Sequence, residues 1–131
     1  MIGLDTNILV RYLVQDDPVQ SPIATNLIER RLTEDDPGFV TMVAAVETAW
    51  VLERTYGFSD ADIAAAIERM LQIDALVVEN EQDVFVATVA LAEGRGSFAD
   101  ALIAELGAGA GCSHTLTFDR KALRLPGFEL P

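Results

Sequence analysis

The stretch Ile2-Gly3-Leu4-Asp5-Thr6-Asn7 is a short apolar run that stops at a carboxylate. Such a run is too short for a helix and favours a buried β-strand, and Asp-Thr-Asn is typical of the place where a strand ends and a helix is capped. We therefore place Asp5 at the carboxyl end of a strand. In open α/β sheets this end faces the crevice where ligands bind. Three more carboxylates, Glu47, Asp100 and Asp119, are candidates to reach the same crevice.

The rest of the chain reads as short apolar strands that alternate with amphipathic helices. The predicted helices span Ile8 to Val14, Val19 to Leu32, about Met42 to Tyr56, Ser59 to Leu71, Gln82 to Ala92 and Phe98 to Gly107, with a helical turn from Asp119 to Leu123. The predicted strands after the first are Phe39 to Thr41, Ala75 to Val78, Thr115 to Phe118 and Phe128 to Leu130. This alternation predicts the α/β class: a three-layer sandwich with a central parallel sheet of four to five short strands flanked by helices.

Length and composition predict a single domain over residues 1–131, large enough to bury a core without disulfides. No apolar stretch is long enough to span a bilayer, and we see no signal peptide, so a cytoplasmic protein that does not contact membranes is expected. The single cysteine, Cys112, agrees with a reducing compartment, and we predict it to be a small buried residue.

Nine basic and twenty-one acidic residues give a formal net charge of −12, the opposite of the usual nucleic-acid binder. Taken alone, this charge favours a basic partner, although bound divalent cations would invert the local field around a carboxylate cluster. Four cations follow two of the candidate acids closely in sequence: Arg11, Arg120, Lys121 and Arg124. They are candidates to contact a nucleic acid or, alternatively, part of a solvated helix face, and the sequence leaves both readings open.

Three of the four carboxylates also have a structural explanation. Asp5 and Asp119 each precede a predicted helical segment and could cap it, and Asp100 stands three residues after Ser97, as the partner in a capping box does. Taken one at a time, each of these residues is more often a cap than a ligand.

Glu47 has no such explanation, because it lies in mid-helix on an apolar stripe that includes Val43, Val46 and Trp50. Burying an unpaired carboxylate there would cost several kcal/mol, and Arg54, seven positions away, lies beyond easy reach of a side-chain pair. We therefore predict that the four carboxylates converge on a hard cation, Mg²⁺ or Mn²⁺. The lone histidine, His114, is interpreted as structural.

The ordered set of motifs resembles the PIN-domain ribonucleases, and within them the VapC toxins of toxin–antitoxin pairs. The resemblance rests on Leu4-Asp5-Thr6-Asn7, the mid-helix Glu47, Phe98-Ala99-Asp100-Ala101-Leu102-Ile103-Ala104 and Leu116-Thr117-Phe118-Asp119-Arg120, and it covers essentially the whole chain.

The resemblance implies an acidic metal site made of Asp5, Glu47, Asp100 and Asp119. It places Thr6, Asn7 and Thr117 around the site as groups that orient the carboxylates or a bound water. It also implies Mg²⁺ or Mn²⁺ dependence, a homodimer, and a small VapB-like antitoxin that inhibits the enzyme. The activity that fits both the residues and the resemblance is hydrolysis of phosphodiester bonds in RNA.

Two other functions stay open at this point. Asp5 could accept a phosphoryl group, as in haloacid-dehalogenase phosphatases or receiver domains, although position 7 is Asn and the only lysine, Lys121, follows Asp119. Alternatively, the chain could be a non-catalytic acidic binding module, in which the aspartates are caps and Glu47 meets an arginine of a partner.

Overall fold

A computed structural model describes all residues from Met1 to Pro131. It contains six α-helices and five short strands, and the strands pair in parallel, which confirms the predicted α/β class. The chain divides into two compact units, Met1–Glu81 and Gln82–Pro131. No helix combines the length and the apolar character needed to cross a membrane.

The first unit contains strands β1 (Ile2–Gly3), β2 (Gly38–Val40) and β3 (Leu76–Val78) and helices α1 (Thr6–Val14), α2 (Gln20–Asn26), α3 (Met42–Arg54) and α4 (Asp60–Leu71). A π-helical turn, Leu27–Arg31, follows α2. The second unit contains α5 (Glu81–Ala92), α6 (Phe98–Gly109), β4 (Thr115–Leu116), a 3₁₀ turn (Arg120–Arg124) and β5 (Phe128–Glu129).

The sheet of the first unit has the order β1-β2-β3, with all three strands parallel. Gly3 pairs with Phe39, and Val40 pairs with Val78. The same register continued past the strand ends puts Asp5, Thr41 and Glu79 at the carboxyl edge, where ligands bind in sheets of this kind. The predicted position of Asp5 at the end of a strand is therefore confirmed.

Each sheet contains fewer strands than the sequence predicted. Instead of one sheet of four to five strands, the structure has a three-stranded sheet in the first unit and a two-stranded sheet, β4-β5, in the second. Apolar runs and turn residues predict that a segment is a strand, but the partner of that strand depends on residues far away in the chain, which periodicity does not report.

The helix starts agree well with the sequence signals. Ser59 accepts a hydrogen bond from Asp62 N at 3.2 Å, and the Asp62 side chain accepts one from Ser59 N at 3.3 Å, which completes a capping box. Thr41 caps α3 with a single bond, which its Oγ1 accepts from Ala44 N at 3.1 Å. These bonds satisfy backbone donors that the first turn of a helix leaves unpaired.

Three burial predictions for residues outside the candidate site are wrong. Ile2 is partly exposed, so β1 is less buried than its composition suggests. Cys112 is exposed, because it follows Gly111, whose φ of 99° places it in a surface turn. Ile23, which its helical spacing with Leu27 predicts to face inward, is 62% exposed. Helix α2 buries its small residues instead, and Ser21 donates a hydrogen bond to the backbone oxygen of Arg11 at 2.8 Å.

Gly38 shows how closely the core packs around β2. A Cβ at this position would lie 2.8 Å from side-chain carbons of both Leu4 and Leu32, and 3.0 Å from Leu76. Only glycine fits there without displacing these leucines, since interiors are close-packed. The backbone of β2 can therefore lie directly against the side chains that hold the first unit together.

The carboxylate of Asp17 makes the stability of the start of α2 depend on pH. The backbone N–H groups of Gln20 and Val19 donate to its carboxylate and hold its pKa below the usual 3.8. A pKa that is lower in the folded state means that the carboxylate stabilises the fold above pH 3.8, and that this contribution is lost as the pH falls through the lower folded value.

We expect Asp17→Asn to lower the melting temperature slightly at neutral pH, because the amide is a weaker acceptor than the carboxylate. The difference from the unsubstituted protein should begin to shrink as the pH falls below 3.8 and should vanish as the pH falls through the lowered pKa of the folded state, where the carboxylate becomes protonated. Thermal melts followed by circular dichroism over a pH series measure this effect. Asp35→Asn, in an exposed loop, is the control, and a difference for Asp17→Asn that stays constant with pH would contradict the assignment.

Candidate functional site

Asp5 and Glu47 line one cavity of about 320 Å³ in the first unit. The helical repeat of α1 brings Asn7, Val10 and Arg11 to the same wall, since residues three and four apart share a helix face. The full lining is Asp5, Thr6, Asn7, Val10, Arg11, Glu47, Val51, Thr55 and Tyr56. Five of the residues predicted from the sequence to belong to the site are thus brought together.

Asp5 is both a helix cap and a wall of the cavity. Its Oδ1 accepts a hydrogen bond from Thr6 N at 2.8 Å, which caps α1, while Oδ2 accepts none from the protein. The cap explanation and the ligand explanation are therefore compatible, because each needs only one of the two oxygens. The carboxylate is exposed, while Thr6 beside it is buried.

The predicted burial of Glu47 is wrong, so its carboxylate does not need a cation to offset a cost of burial. Helix α3 packs through its small residues, Ala44, Ala45, Thr48 and Ala49, together with Leu52. Glu47 is exposed, as is Val43, at 77%. The apolar stripe that was predicted to face inward is thus on the outside of the unit, because alanines let the opposite face approach its neighbours closely.

Glu47 is nevertheless not paired with a cation. No ion pair of the structure involves either Glu47 or Asp5. Arg54, the nearest basic residue along the helix, lies over the Trp50 ring, 5.1 Å from its centroid. Glu47 therefore contributes an unpaired carboxylate to the cavity that it shares with Asp5.

An apolar patch adjoins Glu47 on the outer face of α3. Val43, Val46, Glu47 and Trp50 line a shallow depression of about 480 Å³, and Trp50 is 54% exposed. Trp50 belongs to the apolar stripe that was predicted to face inward, and the prediction is wrong for Trp50 for the same reason as for Glu47. Exposed apolar patches of this kind are typical of interaction surfaces.

Asp100 lies in the first turn of α6, in the second unit, and is half-buried. Ser97 accepts a hydrogen bond from Asp100 N at 3.1 Å, but the reciprocal bond that would complete a capping box is absent. The Asp100 carboxylate is thus not used by the cap. Ile103, one turn further along the same face of α6, is 51% exposed.

Asp119 caps the 3₁₀ turn of the second unit, since its Oδ1 accepts from Lys121 N at 2.9 Å. Thr117 Oγ1 accepts from Asp119 N at 3.0 Å, so this threonine orients the backbone that presents the carboxylate. Arg120, Lys121 and Arg124 are all exposed and form no ion pair. They are accessible to a polyanion.

The residues of the cavity fit a hard divalent cation. Mg²⁺ keeps several waters and binds through one or two carboxylates together with substrate phosphate, and the cavity offers two unpaired carboxylates. Within neither unit do three or more His, Cys, Asp or Glu side chains come together as a complete metal cage. The convergence of all four acids stays a prediction.

Three residues at or near these sites were missed by sequence reasoning. Glu79 follows β3 as Asp5 follows β1, and its Oε2 accepts from Met42 N at 3.1 Å, so the rule that found Asp5 could have found it. Phe118, next to Asp119, was predicted to be the last residue of a strand, but β4 ends at Leu116 and the Phe118 ring is 90% exposed. No local sequence pattern identifies Tyr56 as a site residue, because the residue that it contacts, Arg11, lies 45 positions away in the chain.

Comparison with known proteins identifies the family of the chain. A search of curated proteins found no significant match. The family model described as the PIN domain matches residues 2–127, which is nearly the whole chain and spans both units. The chain therefore belongs to the PIN domain family, whose members are generally nucleases that use divalent metals.

Proposed function

We propose that this protein is a metal-dependent endoribonuclease that hydrolyses phosphodiester bonds in RNA. The observation that supports the proposal best is the pair of carboxylates, Asp5 and Glu47, which line one cavity without a basic partner. Asp5 stands at the carboxyl edge of the sheet, and Glu47 reaches the same cavity from α3. Two unpaired acids in one cavity are suited to a hard cation, and family membership makes nuclease chemistry the expected use.

The residues expected to hold Mg²⁺ or Mn²⁺ are Asp5 and Glu47, with Asp100 and Asp119 as further predicted ligands. When bound, the metal supplies a water of lowered pKa and stabilises charge that develops on the phosphate. Asp5 can bind through the oxygen that the α1 cap leaves free. Thr6 and Asn7 keep the predicted role of orienting this carboxylate, and Thr117 that of orienting Asp119.

We further propose that the protein is the toxin of a VapBC-type pair, acts as a homodimer in the cytoplasm and is inhibited by a VapB-like antitoxin. Two features support an antitoxin partner. The net charge of −12 favours a basic segment, and the apolar patch of Val43, Val46 and Trp50 lies next to Glu47. Co-expression with the neighbouring reading frame, followed by co-purification, tests the pairing. A chain that is harmless to its host on overexpression would contradict toxin identity.

The experiment that tests the enzymatic proposal is incubation with a mixed pool of tRNA, rRNA and mRNA, with Mg²⁺ or with EDTA, and mapping of the new RNA ends. We expect discrete new ends in Mg²⁺ and none in EDTA. The absence of new ends under both conditions, from protein that is folded and free of antitoxin, would overturn the proposal.

Metal binding can be tested without RNA. We expect Mn²⁺ to raise the melting temperature by several degrees, since a ligand at 100 times its Kd stabilises the native state by about 2.7 kcal/mol. EDTA should reverse the gain, and the double variant Asp5→Asn/Glu47→Gln should lose it. Differential scanning fluorimetry measures the shift, with Glu53→Gln as the control on the same helix. A non-catalytic binding module would show no gain from the metal.

A further inference from the structure

The side chain of Arg11, which lines the cavity, is held by hydrogen bonds to other side chains. Its Nε donates to Gln20 Oε1 at 2.8 Å, and its Nη1 donates to Tyr56 OH at 3.1 Å. Nη1 also approaches Asp16 Oδ1 at 3.5 Å, the longest of these contacts. Tyr56 follows α3 and so fastens the end of that helix to α1. The guanidinium is therefore ordered by residues from three separate segments.

These contacts leave donors unused. A guanidinium has five N–H groups, and the hydrogen bonds of Arg11 engage Nε and Nη1 but not Nη2. Tyr56 OH accepts from Arg11, and its own proton has no acceptor in the protein. Arg11 and Tyr56 both line the cavity that contains Asp5 and Glu47. The cavity thus combines unpaired acids with a fixed cation that still has donors available.

Neutralisation of the two acids does not explain this arrangement. Arg11 forms its only ion pair with Asp16, at 3.5 Å, and none with Asp5 or Glu47. A guanidinium that simply balanced the acids would be expected to contact one of them. The fork of an arginine matches the oxygens of a phosphate, and a side chain already held in place loses little freedom on binding.

We propose that Arg11 is a phosphate-binding residue of this cavity and that Tyr56 is its positioning residue. Arg11 Nη2 donates to a non-bridging oxygen of an RNA phosphate, while the Tyr56 hydroxyl keeps the guanidinium at the correct place beside the acids. This inference rests on the proposed nuclease function, because the phosphate is that of the RNA substrate.

The test is the affinity for a fluorescent single-stranded RNA, measured by anisotropy over a range of salt concentrations. All variants are made in the Asp5→Asn background, so that cleavage does not interfere. We expect Arg11→Ala to weaken binding about 10-fold and to reduce the slope of log K against log salt by about 0.7, the value for one phosphate contact on a single strand. Arg11→Lys should restore the slope, because the charge is kept, but only part of the affinity.

Tyr56→Phe separates positioning from charge. It removes one hydroxyl and no charge, so we expect binding several-fold weaker with an unchanged salt slope. In the cleaving protein, with Asp5 intact, it should raise KM more than it lowers kcat. Tyr12→Phe is the matched control. Tyr12 lies on α1, as Arg11 does, but its hydroxyl contacts Glu29 and it does not line the cavity. This control should bind RNA as the unsubstituted protein does.

The outcomes distinguish this inference from the proposed function. If the protein cleaves RNA but Arg11→Ala binds it with unchanged affinity and salt slope, the phosphate site is wrong and the nuclease proposal stands. If Tyr56→Phe behaves as Tyr12→Phe does, the positioning role is wrong. If the unsubstituted protein neither binds nor cleaves RNA, both proposals are overturned.

Discussion

Asp5→Asn is expected to lower the rate of RNA cleavage at least about 100-fold while the protein stays folded. Loss of a group that merely orients a metal ligand typically costs 10- to 100-fold, so loss of a ligand should cost more. The fold should survive, because an asparagine Oδ1 can still accept the capping bond that Thr6 N donates at 2.8 Å. What the substitution removes is the negative charge and the second carboxylate oxygen.

Glu47→Gln should have an effect of similar size for the same reason. The matched control is Glu53→Gln, which changes an exposed glutamate of the same helix outside the cavity and should cleave RNA at the normal rate. Cleavage rates with a defined RNA in Mg²⁺ measure all three variants, and circular dichroism establishes that each is folded. Normal cleavage by both Asp5→Asn and Glu47→Gln would remove Asp5 and Glu47 from the active site.

Ile28→Ala is expected to destabilise the protein by about 3 kcal/mol, whereas Ile23→Ala should cost less than about 0.5 kcal/mol. The helical pattern from Val19 to Leu32 predicts both isoleucines to face inward. In the structure Ile28 is 2% exposed and Ile23 is 62% exposed. Truncation of the first leaves a cavity in the core, and truncation of the second removes side-chain atoms that already contact water.

Urea unfolding of both variants, followed by circular dichroism, measures the two free energies of unfolding. Because the substitutions are chemically identical and five residues apart, their intrinsic helix propensities cancel in the comparison. Equal and large losses of stability would mean that Ile23 is buried as Ile28 is, which would contradict the exposed position of Ile23 in α2.

Local chemistry explains what could be predicted from the sequence. Ser59 and Asp62, which form a capping box, lie three positions apart in the chain. Asp5 lies two positions after the end of β1 and caps α1 through the backbone of the next residue. Signals of this kind act between near neighbours, so they are legible without any knowledge of the rest of the fold. The α/β class follows from the same source, since it depends on the order of the elements rather than on their contacts.

The faces of the helices could be predicted less well. Hydrophobic periodicity assumes that the largest apolar residues are buried. Helix α3 instead packs through Ala44, Ala45 and Ala49 and leaves Trp50 outside. Small residues give a weak signal in sequence, yet they allow the closest approach between elements. Glu47 was thus identified as a site residue through an argument about burial that the structure contradicts.

The sequence by itself therefore determined the α/β class, the starts of the main helices and the identity of the candidate acids, because all of these are written in short stretches of chain. Only the tertiary structure decided that Glu47 shares a cavity with Asp5, and that Tyr56 holds Arg11 beside them. These contacts join residues more than 40 positions apart. They exist only because packing brings α1 against α3, and no local pattern records which distant residues that packing will bring together.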